Sequence, residues 1–190
     1  MEQIWWERVP NAMAFISDVV GHLVDGKSVV LQYISDIPWY SFMVKAVKDS
    51  VRQQNSSKSF EFIPDAGDPG AYLLKEYCKP EKRASYRPSK TYARFFADSD
   101  DIVFHDRYFW VDVQSAESLE VWTDFVSDYL KNRKQNEEAA VFIFLYHYEK
   151  KVKAKRGLRV CCFDEYVGTY DSIVFSMLAS STVKGSSFMK

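Results

Sequence analysis

The chain has 190 residues, 47% of them hydrophobic and 16% aromatic, which suits one domain burying roughly 70% of its unfolded surface and excludes a disordered chain. Its 25 basic and 26 acidic residues leave a net charge of −1, so bulk charge steers it toward neither nucleic acid nor membrane. Three cysteines, Cys78, Cys161 and Cys162, stand in no C-x-x-C or Cys/His spacing; they point away from zinc and from a disulfide framework and fit a reducing compartment.

Met1–Trp6 lacks a basic n-region and an apolar h-region, so no signal peptide is expected there. No apolar run approaches the ~20 residues of a membrane span, and the expectation is a soluble cytoplasmic protein. Residues 11–25 place Ala12, Phe15, Ile16, Val19, Val20 and Leu23 at helical spacing, and Gly26 stands where a glycine ends a helix. Val29–Ile34 is a β-branched run and reads as a strand. Ser35-Asp36-Ile37-Pro38 then signals a helix start, and Trp39, Phe42, Met43, Ala46, Val47 and Val51 carry the apolar face of the helix that follows.

The unit recurs. Phe60–Ile63 reads as a strand, Pro64–Gly70 as a loop, and Ala71–Cys78 as a helix capped by Asp68, with Pro69 in its first turn. A basic stretch, Lys79–Lys90, leads to a short predicted helix at Thr91–Ala97. Tyr108–Val113 is the third strand, and Glu117–Lys131 is a helix with Leu119, Trp122, Phe125, Val126 and Tyr129 on one face. Ala140–Tyr146 reads as a central strand, Leu158–Phe163 as a fifth, and Tyr170–Ala179 as a closing helix. Strands alternating with helices, and strands apolar on both faces, predict a three-layer αβα sandwich around a mostly parallel sheet of about five strands. The domain is expected to span residues 1–182, with 183–190 as a tail.

One segment matches a catalytic pattern letter for letter. Gly21-His22-Leu23-Val24-Asp25-Gly26-Lys27-Ser28 satisfies G-x-x-x-x-G-K-[ST], which makes Lys27 and Ser28 the candidates for holding a nucleotide. That chemistry needs a strand, then a turn of inward N–H groups, then a helix N-terminus facing phosphate. Here a helix precedes Gly26 and a strand follows Ser28. The expected structure is a glycine-capped helix end, which presents carbonyls and the negative pole of the dipole.

With that match set aside, the order helix, strand Val29–Ile34, loop, helix, strand Phe60–Ile63 and then Tyr108-Phe109-Trp110-Val111-Asp112 resembles the core of AAA+ or STAND-type P-loop NTPases. The resemblance implies that Asp112 stands at the Walker B position, that Ala140–Tyr146 is the strand carrying a polar sensor, and that Leu158–Phe163 is the last core strand. It also implies that the phosphate loop is Ser35–Ser41, which has no glycine and no lysine, and an acidic residue where phosphate would sit. Val113 and Gln114 follow Asp112 in place of a second carboxylate. The resemblance therefore implies a degenerate, non-hydrolysing relative with no cofactor.

Ligands of parallel α/β sheets bind beyond the carboxyl ends of the strands. Those ends offer Asp36, Asp65, Asp68, Asp112, His147 and the pair Asp164-Glu165. Asp112, Asp164 and Glu165 are the catalytic candidates, for a metal-dependent nucleotide or phosphodiester chemistry; read as structure, Asp36 and Asp68 are helix caps and the rest solvated. Two basic stretches could touch nucleic acid, one with Arg83, Arg87, Lys90 and Arg94, the other with Lys151, Lys153 and Arg156. No G-x-S-x-G occurs, and Cys161-Cys162 lies within a strand, where packed thiols are inert. Trp5 and Trp6, with Trp39 and Trp110, either anchor a protein interface or staple the N-terminal arm to the core. The resulting expectation is a non-catalytic NTPase-like module working through protein contacts, within a bacterial multi-component system; the alternative is an NTPase or nuclease using the strand-end carboxylates.

Overall fold

In a computed structural model of the chain, residues 10–33, 40–55, 57–78, 106–133, 138–147 and 152–166 are described. In chain order these form α1 (Pro10–Val24), β1 (Ser28–Tyr33), α2 (Tyr40–Gln54), β2 (Ser59–Ile63), α3 (Pro69–Tyr77), β3 (Arg107–Val113), α4 (Ala116–Asn132), β4 (Val141–His147), β5 (Leu158–Cys162) and α5 (Phe163–Tyr166). The five strands make one sheet in the order β2-β3-β4-β1-β5, and every neighbouring pair is parallel. The expected α/β architecture is therefore present. The helices predicted at Thr91–Ala97 and Tyr170–Ala179 and the tail at 183–190 lie outside the described residues.

Alternation along each strand divides the core in two. Tyr108 and Trp110 of β3, Val141, Ile143 and Leu145 of β4, and Val29 and Leu31 of β1 face one side. There they pack on Phe15, Ile16, Val19, Val20 and Leu23 of α1 and on Met43, Val47 and Val51 of α2. Phe109, Val111 and Val113 of β3, Phe142, Phe144 and Tyr146 of β4, and Val30 of β1 face the other. That side is covered by Leu73 of α3 and by Leu119, Trp122, Val126 and Tyr129 of α4. With apolar layers on both faces, β4 needs no polar alternation, and all its residues but His147 are buried.

Two polar residues interrupt the buried strands, and each serves the backbone. Ser28 opens β1, and its Oγ accepts the Phe142 N–H at 2.9 Å. Gln32 is fully buried on the α4 side, where its Oε1 accepts the Val152 N–H at 2.9 Å. Val152 belongs to the return from β4 to β5 and lies outside any helix, so a strand side chain satisfies its N–H.

The fifth strand is one residue shorter than the expected Leu158–Phe163. Leu158–Phe163 is continuous in sequence, but Phe163 leaves the sheet as the first residue of α5 and meets Phe15 of α1 edge-on, centroids 5.2 Å apart. In the same short helix the Tyr166 hydroxyl donates to Asp18 at 2.7 Å. That bond to a carboxylate, then burial, pushes the Tyr166 phenol from 10 up to about 12. Between these values an unfolded chain has lost a proton that the folded chain still holds, so rising pH favours unfolding. Stability measured by urea titration should therefore fall from about pH 10 to 12, and Tyr166→Phe should flatten part of that fall.

Candidate functional site

The phosphate-loop match has the backbone of a helix end. α1 stops at Val24; the Gly26 N–H then donates to the Leu23 carbonyl at 3.0 Å and the Lys27 N–H to the His22 carbonyl at 2.9 Å. With Gly26 at φ +76°, these crossed bonds are the Schellman arrangement. Asp25 N–H is also bonded inward, to Gly21 O at 3.1 Å. Three of the N–H groups that a phosphate would need thus face the helix's own carbonyls. The Ser28 hydroxyl, which would bind a nucleotide's metal, is 1% exposed and holds Phe142. Lys27 stands in solvent, 3.9 Å from Asp25. Ser28→Ala should therefore cost about 1–3 kcal/mol, by orphaning a buried N–H, whereas Lys27→Ala should change stability by less than about 0.5 kcal/mol in the same denaturation assay.

Because all strands are parallel, their carboxyl ends share one edge. β3 brings Asp112 there, exposed and on the same side as Trp110, whose Nε1–H donates to Asp112 Oδ1 at 2.8 Å. The Gln114 side-chain amide donates to the Asp112 carbonyl at 3.2 Å. On the neighbouring β4, His147 stacks on Tyr33 of β1, centroids 4.7 Å apart. Asp164 and Glu165 begin α5 beyond β5. Between β3 and β5 lie β4 and β1, so Asp112 is three strand spacings from β5, about 14 Å at ~4.8 Å each. The strand order keeps the three catalytic candidates from sharing one ion. Among the described residues, no group of three or more His, Cys, Asp or Glu side chains is arranged to hold a metal. Asp36 lies outside the described residues.

The remaining carboxylates of this edge have structural partners. Asp68 caps α3, accepting the Ala71 N–H at 3.0 Å, as its place before Pro69 leads one to expect. Asp65, two residues beyond β2, accepts three bonds from the segment after β3. These come from Gln114 N–H at 2.9 Å, the Trp122 indole at 3.0 Å and the Ser118 hydroxyl. Asp65 therefore ties the β2 end to the first turns of α4, where a carboxylate is also favoured by the helix dipole. Between the two strand ends runs an open groove of about 530 Å³, lined by Phe62, Ile63, Pro64, Asp65, Trp110, Asp112 and Gln114. Of these the two aspartates are expected from the sequence as strand-end carboxylates and Trp110 as an interface or core aromatic; Phe62 carries no local signal.

The other candidates divide similarly. Lys153 and Arg156 are exposed, but Lys155 between them pairs with Asp124 of α4 at 2.6 Å, which breaks the run of cations. Lys151, the stretch with Arg83, Arg87, Lys90 and Arg94, and the tryptophans Trp5, Trp6 and Trp39 lie outside the described residues. Trp110 is no surface anchor: it is 1% exposed, inside the core beside β2. Cys78, Cys161 and Cys162 are buried and in no disulfide. Burial, with the nearby Asp18 charge, pushes the Cys161 thiol up to about 11, and burial also raises Cys162. Both are held as unreactive thiols. No helix among the described residues is long and apolar enough to cross a membrane. No family model matches the chain, and no curated protein matches it in sequence.

Proposed function

We propose that this chain is a non-catalytic module of P-loop-NTPase-like architecture that works in the cytoplasm through contacts with a protein partner. The observation that carries the reading is the backbone of Gly21–Ser28. The one stretch with the letters of a phosphate loop is used to end a helix and start a strand, and its N–H groups are bonded to carbonyls. The other place for a phosphate loop, Ser35–Ser41 after β1, has neither glycine nor lysine. Adjacency in the sheet supports the architectural part. β1, β4 and β3, to which the resemblance assigns phosphate loop, sensor and Walker B, lie side by side, with their carboxyl ends on one edge. Buried cysteines outside any disulfide accord with a reducing compartment.

The competing reading, a nucleotide- or metal-dependent enzyme, asks Asp112 to act with Asp164 or Glu165, and β4 and β1 stand between them. Isothermal titration of the full chain with Mg·ATP separates the two. No heat of binding is expected, with or without Lys27→Ala. Saturable ATP binding that Lys27→Ala abolishes would sink the module reading.

A further inference from the structure

We draw no further inference here: the strongest candidate, the exposed Phe62 side chain on β2 at the margin of the sheet, already has Lys48 of α2 over its ring, and nothing in the structure shows what covers the rest of that face.

Discussion

Asp65→Ala is expected to lower the free energy of unfolding by about 2–5 kcal/mol, read from urea denaturation with an unchanged m-value. The magnitude comes from what each orphaned donor can do next. Gln114 is exposed and Ser118 half-buried, so water replaces the carboxylate at those two, at about 0.5–1 kcal/mol each. Trp122 has no such recourse: it is fully buried under Phe142 and Phe144, and its indole N–H would lose its acceptor, costing about 1–3 kcal/mol. Asp65→Asn should fall between wild type and alanine. Its oxygen can still accept from Trp122 and Ser118, but its NH₂ then faces the Gln114 N–H, donor against donor. A double-mutant cycle with Trp122→Phe isolates the indole bond, and the coupling should be at least about 1 kcal/mol. Additive losses at the two positions would mean that the indole finds another acceptor and that Asp65 does not hold α4 in place.

The role of Asp65 also marks where sequence reasoning stops. Its partners follow it by 49, 53 and 57 residues, so no window around it contains the reason for its presence. The elements themselves were legible because their signals are local. Phe15, Ile16, Val19, Val20 and Leu23 repeat at helical spacing and are all buried, and the uninterrupted β4 run announces a strand covered on both faces. The helix end at Gly26 was legible for the same reason, since the order helix, glycine, strand is visible without any tertiary contact. Strand order was not, because nothing within β3 or β5 says that β4 and β1 lie between them. That order decides whether Asp112 can act with Asp164 or Glu165, so the candidate site was readable as residue types and unreadable as a constellation. Phe163 shows the same limit on a small scale. An apolar residue after an apolar strand reads as more strand until Phe15, 148 positions earlier, is seen to claim it for α5. Gln32 carries a local clue of its own: a polar side chain inside Val29–Tyr33 has to serve a buried backbone group somewhere.

Gly157→Ala should destabilise the fold by about 1.5–3.5 kcal/mol, more than the same change at Gly26, and the difference has a single structural source. Both glycines have positive φ, +85° at Gly157 and +76° at Gly26, and at each an alanine meets the left-handed backbone penalty of about 1–2 kcal/mol. At Gly26 a Cβ would enter open space, with nothing within 4 Å. At Gly157 it would lie 2.8 Å from Leu130 Cδ1 and 3.6 Å from Leu130 Cβ, so the leucine must leave its rotamer, at a further ~0.5–1.5 kcal/mol. Leu130 is on α4, and the turn it presses against carries the Leu158 N–H to Lys155 carbonyl bond at 3.1 Å that starts β5. The Lys155–Asp124 pair tethers the same turn to the same helix. The close approach of Gly157 therefore sets how α4 receives the turn that leads into β5. In a Leu130→Ala background the two glycine substitutions should become equal in cost, whatever Leu130→Ala costs alone. An excess at Gly157 that survives this change would place the constraint in the turn's own backbone and not in its packing on α4.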